Sequence, residues 1–416
     1  MHKRPIPLAL ILASTFVLPL TAYAATNGDS SNDPQTIRQQ IHDLQQRLAK
    51  VEKTRAGYFK VGGALRYQYA YRDWSQSSRD QTGTLDFDTF RFNVDGKYKG
   101  IILSAEYRFY QGWNSLKSGW MGYDFTPRWQ GQFGLIRVPF GILPYASHSF
   151  FFSSNYYFGL EDTYDAGVKA IYNSPDSPWD FRVAVLKNAG FGLFGSSDPG
   201  RYSYNVLPSG AQKNLADNTV ATRLTYTLGN KGATTELGVS ALAGQLYNQI
   251  SKQNGSHWAA GLHADGNYGQ WNVMAEVLRY QYNPQNPAGV NSDVVQVGAY
   301  NYYDLIPASA DSGLVNVAYT VPVQWGPISS LKFYNDYTEV FRKKGGFPVT
   351  RMNVLGMAIS AGKVYTYIDL VEAQNQPFIG GSMAPGVSGV GGDPTATTAT
   401  DRSWNTRFNV NVGYYF

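Results

Sequence analysis

From Tyr58 onward, apolar and polar side chains alternate with a period of two. Leu65, Tyr67, Tyr69 and Tyr71 interleave with Arg66, Gln68 and Arg72; Phe90, Phe92, Val94 and Tyr98 interleave with Thr89, Arg91, Asn93, Asp95 and Lys97; Leu103, Ala105, Tyr107 and Phe109 interleave with Ser104, Glu106 and Arg108. Successive side chains of a strand point to opposite faces, so each segment has one apolar and one water-facing side. The last segment, 402 to 416, sets Trp404, Phe408, Val410, Val412, Tyr414 and Phe416 against Ser403, Asn405, Arg407, Asn409 and Asn411. Alternation kept up over that length exceeds an ordinary globular strand and suits lipid on one face and water on the other.

The same pattern predicts further strands at 118 to 126, 128 to 137, 166 to 173, 179 to 187, 219 to 228, 234 to 244, 257 to 266, 271 to 281, 312 to 321, 330 to 340, 352 to 361 and 363 to 372. Connections alternate between long (74 to 85, 111 to 117, 138 to 165, 188 to 218, 245 to 256, 282 to 311, 341 to 351, 373 to 401) and short (Lys99-Gly100, Thr126-Pro127, 174 to 178, 229 to 232, 267 to 270, 322 to 329, Ala361-Gly362). That rhythm predicts a 16-stranded antiparallel β-barrel with both termini on the short-turn side. Its weakest points are the strand 118 to 126 and the segment Val294 to Tyr303, which can pair within its own loop. Barrels of about 8 strands are filled by side chains, whereas about 16 to 18 leave an aqueous channel. The strand number therefore already implies a water-filled pore.

The amino terminus sets the compartment. His2, Lys3 and Arg4 precede an apolar run from Leu8 to Leu20 and then Ala22-Tyr23-Ala24, the three parts of a cleavable secretory signal, so the mature chain is expected from about Ala25. Ile37, Ile41, Leu44, Leu48 and Val51 then form a heptad seam, with Asp33-Pro34 as a start and Gly57 as a stop. Two heptads fit either a coiled coil that associates with help from the rest of the molecule or a lone amphipathic helix. The expected organisation is a signal peptide at 1 to 24, a periplasmic linker and coiled-coil helix at 25 to 57, and an outer-membrane barrel at 58 to 416.

The composition holds 31 Tyr, 43 Gly and no Cys, which removes disulfide frameworks and thiolate metal sites. Losing Lys3 and Arg4 with the signal leaves 33 Lys+Arg against 30 Asp+Glu, a formal +3. That balance excludes nucleic acid as a partner, and no cofactor motif is present.

On water-facing parity the candidate lumen cations are Arg66, Arg91, Lys97, Arg108, Arg182, Arg223, Lys332 and Arg407; the candidate anions are Asp95, Glu106, Asp124, Glu236, Asp265, Glu276, Asp336 and Asp369. Arg137 and Lys169 flank the base of the loop 138 to 165. Selectivity depends on which charges share a height at a constriction. Arg66, Arg91 and Arg108 lie on consecutive strands, and closing the last strand on the first is expected to bring Arg407 near Arg66. The loop 138 to 165 opens Val138-Pro139-Phe140-Gly141 and contains the apolar run Phe150 to Phe158, which requires burial, against either the lumen wall or a neighbouring subunit. Of the few His residues, His148-Ser149 offers a hydrolase-like pair and His263 with Asp265 a proton-transfer pair; neighbours in sequence do not thereby share hydrogen-bond geometry. No enzymatic activity is expected.

The segments Tyr58-Phe-Lys-Val-Gly-Gly-Ala-Leu-Arg-Tyr67, Thr89-Phe-Arg-Phe-Asn-Val-Asp-Gly96 and Gly131-Gln-Phe-Gly-Leu-Ile-Arg-Val-Pro-Phe-Gly-Ile142, following a signal and a short heptad helix, resemble the phosphate-selective porin O/P superfamily and the related dicarboxylate-type porins with an amino-terminal coiled coil. The resemblance implies a homotrimer passing small anions, surrounded by the lipid and lipopolysaccharide of the bacterial outer membrane. The terminal Phe416 is similar to the signal read by barrel-assembly machinery. One departure is plain: the loop 138 to 165 holds no Lys or Arg and carries Glu161, Asp162 and Asp165. The expectation is therefore a channel moderately preferring small organic anions such as dicarboxylates, with Arg66, Arg91, Arg108, Arg137, Lys169, Arg182, Arg223 and Arg407 lining it. Alternatives are a phosphate or polyphosphate channel, a non-selective pore, an envelope tether built on the heptad helix, or a barrel hydrolase.

Overall fold

Sixteen strands close into one antiparallel barrel in the computed structural model, which describes residues 57–187, 200–208, 211–230, 232–387 and 403–416. The first seven are β1 (Tyr58–Arg72), β2 (Thr84–Tyr98), β3 (Ile101–Tyr110), β4 (Trp113–Asp124), β5 (Trp129–Arg137), β6 (Tyr164–Asn173) and β7 (Trp179–Leu186). After the short β8 (Asn205–Val206) come β9 (Asn214–Asn230), β10 (Ala233–Asn248), β11 (Asn254–Tyr268) and β12 (Trp271–Asn283). A hairpin of β13 (Val294–Ala299) and β14 (Tyr302–Pro307) precedes β15 (Ser309–Trp325), β16 (Ile328–Phe341), β17 (Thr350–Ala361), β18 (Val364–Gln374) and β19 (Trp404–Tyr415). Each expected strand has its counterpart. The expected signal and heptad helix lie outside the described residues.

Closure is made by β1 against β19, in register from Ala64 opposite Tyr415 to Arg72 opposite Arg407. Gly63 and Phe416 exchange both backbone hydrogen bonds at 3.1 Å, so the last residue completes the ladder. With every wall strand paired on both sides, no backbone edge is left to be satisfied by solvent. The outward parity is apolar: Val61, Leu103, Phe133, Val168, Leu262, Val277, Val315 and Leu355 are all exposed. Tyr98, Tyr123, Trp129, Trp179, Trp271 and Trp325 gather beside the short turns, as an aromatic girdle at a membrane interface does.

Three connections differ from expectation. The segment 111 to 117, expected as a long loop, is the two-residue link Gln111-Gly112, and the strand expected at 118 to 126 begins at Trp113. The loop at 245 to 256 shrinks to 249 to 253, and the turn at 322 to 329 to 326 and 327. In all three the strands run on beyond the stretch over which strict alternation is legible in the sequence. The segment from Val294 does pair within its loop, as β13 with β14, and β8 joins them in a separate three-stranded sheet.

Of the register shifts in the wall, two bring an extra charged residue into the strand. Opposite the Arg66/Tyr67 step, β2 carries Asp88 as an extra residue; opposite the Glu106/Tyr107 step, β4 carries Lys117. A bulge turns an added side chain without flipping the remainder of the strand. Here each delivers a charge inward.

The barrel interior holds a core built from loops. Val138, Phe140, Phe151, Tyr156, Phe158, Tyr204, Val206, Val297, Ile306 and Ile379 form one buried cluster with wall residues such as Leu246, Tyr280, Val354 and Val371. No residue of β1, β2 or β3 belongs to it. Its wall residues come from β5, β7, β9 to β12 and β15 to β18.

The closing register is directly testable because the chain has no native cysteine. Gln68 stands opposite Asn411, within disulfide reach for a directly opposed pair. Gln68→Cys with Asn411→Cys is expected to oxidise to an intramolecular crosslink visible by denaturing electrophoresis. Gln68→Cys with Tyr415→Cys, four positions out of register, should stay reduced; the reverse pattern would overturn the closure.

Candidate functional site

The loop between β5 and β6, residues 138 to 163, folds into the lumen. Of the two places open to its apolar run, the lumen wall receives it. Its backbone donors meet carboxylates of the far wall: Ile142 N donates to Glu276 Oε2 at 3.0 Å, and His148 N and Ser149 N donate to Asp336 Oδ2 at 2.7 and 2.8 Å. Gly141 N reaches Ser240 Oγ at 3.0 Å, while Arg223 Nε donates to Gly141 O at 2.7 Å. Asn155 Nδ2 adds a second bond to Glu276 at 2.8 Å. An irregular loop inside a barrel has many orphan N–H groups, and a buried donor without an acceptor costs about 1–3 kcal/mol. Glu276 and Asp336 remove that cost.

Glu161 does the same within the loop. Its carboxylate accepts from Ala146 N and Ser153 N at 2.9 Å each and from the Ser153 hydroxyl. Burial pushes its carboxyl up to about 8 despite those bonds, and the neighbouring Glu276 charge acts in the same direction. The apolar part of the loop is seated by aromatic contacts: Phe150 lies under the Arg66 guanidinium at 5.3 Å, and Phe151 under Arg407 at 4.8 Å.

Opposite this packed side stands a basic wall. Arg91 on β2 is the direct cross-strand partner of Arg108 on β3. Both contact Glu106, Arg108 closely and Arg91 at 3.9 Å, and Lys117 approaches the same carboxylate at 3.8 Å. Arg66 pairs with Asp88 at 2.7 Å. Asp162, at the end of the inward loop, is held by Arg137 at 3.0 Å, Lys117 at 3.7 Å and the hydroxyls of Tyr164 and Tyr202 at 3.0 and 2.8 Å. Five cations thus share three carboxylates, Asp88, Glu106 and Asp162. The side chains of Arg91 and Arg137 keep 20% and 28% exposure, whereas Glu276 and Asp336 retain 3% and Asp369 none. Water therefore reaches the basic wall through Arg91 and Arg137, while Arg108 and Lys117 are covered as deeply as the acids of the loop-bearing wall.

Of the residues expected from parity, Arg66, Arg91, Arg108 and Arg137 converge here. Lys169, Arg182 and Arg223 form a second group farther round: Lys169 Nζ donates to Arg137 O at 2.9 Å, Arg182 pairs with Asp180 at 2.7 Å, and Arg223 faces Arg182 across β7 and β9 while pairing with Glu236. Arg407 is not beside Arg66. Arg66 pairs with Gly413 and Arg72 with Arg407, a separation of about 20 Å along β1, and Arg407 lies buried under the loop. Parity missed Lys117 and Asp88 because each sits in a bulge. The Leu116-Lys117-Ser118 step, where alternation falters, is the signal that marks one of them.

The two histidine pairs are taken up otherwise. The His148 ring contacts Asp336 Oδ1 at 2.7 Å and Asn272 Oδ1 at 2.6 Å, with no hydroxyl among its partners. His263 faces Arg223 at 3.2 Å and Glu236 at 3.5 Å, while Asp265 accepts from Asn272 at 2.8 Å. Among the described residues no cluster of metal-ligating side chains is present.

No family model matches the chain, and no curated protein matches it in sequence. Solved structures do match in fold. An outer membrane protein of Vibrio cholerae, OmpT in its trimer form, aligns with a TM-score of 0.52 at 15% identity, covering 87% of this chain and 100% of the other. An anion-selective porin from Comamonas acidovorans gives 0.54 at 10% identity, over 86% and 100%. The outer membrane channel DcaP of Acinetobacter baumannii gives 0.51 at 9%, over 87% and 98%. At such identities the likeness concerns the barrel alone.

Two measurements test the loop anchoring. Glu276→Leu leaves Ile142 N and Asn155 Nδ2 without their acceptor, so single-channel conductance should rise and grow noisy, whereas Glu276→Gln should stay nearer the parent; identical traces for all three would refute the anchor. Glu161 carries a folded-state value raised from 4.5 to about 8. A raised acid favours the folded loop at low pH and loses that advantage as pH climbs from about 4.5 through about 8. Conductance fluctuations should therefore increase as pH rises from about 4.5 to about 8 and level off above it, and Glu161→Gln should flatten the profile.

Proposed function

We propose that this chain is an outer-membrane diffusion channel preferring small anions, with small organic anions such as dicarboxylates among its solutes. The observation carrying the reading is the separation of charge across the lumen. Acids on β12, β16 and β18 are covered by the inward loop, while Arg91 and Arg137 keep water contact and Arg66, Arg108 and Lys117 stand behind them, five cations against the three carboxylates Asp88, Glu106 and Asp162. Each uncompensated charge at about 5 Å is worth on the order of 1 kcal/mol to a passing ion even in a water-like dielectric. Two such charges give a preference of roughly tenfold. The apolar outer belt and girdle support insertion in a bilayer, and the leading 24 residues support export. Termini on the periplasmic side, assembly as a homotrimer, lipopolysaccharide around the wall and assembly through Phe416 complete the proposal.

The arginine cluster also supports a phosphate-binding variant of this reading, which competition by phosphate, succinate and a neutral sugar distinguishes from a general anion pore. Under a salt gradient in planar bilayers, the reversal potential should report anion preference, shrinking at high salt as charges are screened. Arg137→Glu should move it toward cations by roughly tenfold in permeability ratio. A cation-selective parent channel would overturn the proposal.

A further inference from the structure

Among the charges on the outer wall is a cluster that the channel does not use. Val277 on β12 and Val315 on β15 are exposed parts of the apolar belt, and the belt ends abruptly two residues beyond Val277, at Arg279. Arg279 stands opposite Asp311 in the ladder, donating from Nη2 to Oδ2 at 2.9 Å as well as from Nε. Arg342, which follows β16, brings its own Nε to the same carboxylate and lies over the Phe341 ring at 5.3 Å. Phe341 and Val277 both flank Gly313, each 3.9 Å from where a methyl group there would stand, which places this cluster on the outer face. One strand further, Arg351 pairs with Glu339 at 3.2 Å, and Tyr337 donates its hydroxyl to that same carboxylate at 2.8 Å.

Three guanidiniums thus share two carboxylates. The Asp311 side chain is nearly covered, while the Arg279 and Arg342 side chains keep 51% and 68% exposure. A guanidinium has five N–H donors, so both retain donors aimed outward after binding Asp311. A planar fork of this kind matches the oxygens of a phosphate in a bidentate way. Below it lie Val277, Val315 and Leu355, which offer hydrocarbon contact that a free anion has no use for.

We infer that Arg279, Arg342 and Arg351 form a binding site for the phosphorylated headgroup of a lipid whose acyl chains run down the apolar belt. The site rests on the reading of the barrel as membrane-embedded and is independent of ion preference. The cluster lies at the long-loop end, so the lipid is that of the leaflet around the long loops.

The full chain, folded in non-ionic detergent, is to be mixed with a bisphosphorylated acyl-glycolipid, with phosphatidylethanolamine, or with inorganic phosphate, and bound lipid read by native mass spectrometry. The parent should retain the bisphosphorylated glycolipid in preference to phosphatidylethanolamine. Arg279→Gln with Arg342→Gln and Arg351→Gln should lower its occupancy about a hundredfold, the scale expected for three basic groups near an anionic headgroup. The corresponding triple lysine variant should hold an intermediate amount, which separates lost charge from lost folding. Equal retention by parent and glutamine variant would overturn the site, as would full competition by millimolar inorganic phosphate. A change in oligomer mass in the variant without a change in bound lipid would also overturn it, assigning the patch to contact between copies. Conductance of the same preparations reports separately on the channel: since these side chains face outward, the glutamine variant should conduct as the parent does, and a parent that forms no pore would refute the channel reading alone.

Discussion

The constraint on which the rest depends is the need of an inward-folded loop to find acceptors for its own backbone. A sixteen-stranded wall satisfies itself through its ladders but leaves a wide lumen, and a loop entering it brings unpaired N–H groups into a space largely closed to water. Glu276 and Asp336 answer that need from the wall, and Glu161 from within the loop. Because these acids are committed to backbone donors, they are withdrawn from the water-filled part of the lumen. The asymmetry between a loop-bearing wall and a basic wall is thus a by-product of how the loop is held.

The bulges add a second layer. Regular alternation would have left Asp88 and Lys117 out of phase with the residues they meet. One extra residue in β2 and one in β4 place them beside Arg66 and Glu106. The basic wall is therefore no bare ladder of arginines: its cations are oriented by Asp88, Glu106 and Asp162 and stacked on aromatic rings, Arg91 on Tyr415 and Arg108 on Tyr202. Fixed side chains of this kind present charge at defined positions, which long free arginines in water do not.

The outer surface obeys a different logic. There the belt, the girdle at the short turns and the Arg279, Arg342 and Arg351 cluster at the opposite end follow the layers of a bilayer, apolar in the middle and polar at its margins. Two solvents thus read the same strands from their two sides, and the alternation of side chains keeps the two readings separate.

Period two, strand number and closure were legible along the chain, because alternation between lipid and water is written residue by residue and the even count fixes where the ends meet. Arg66, Arg91, Arg108 and Arg137 were legible for the same reason. Their grouping was not. It required the register that sets Arg91 opposite Arg108 and carries Arg407 away from Arg66, the bulges that insert Asp88 and Lys117, and the path of the loop that buries Glu276 and Asp336. A local pattern of side chains is enough to make this chain a wide barrel. Which of its evenly matched charges face water depends on relations between strands far apart along the chain, set by hydrogen-bond ladders and packing that no local pattern records.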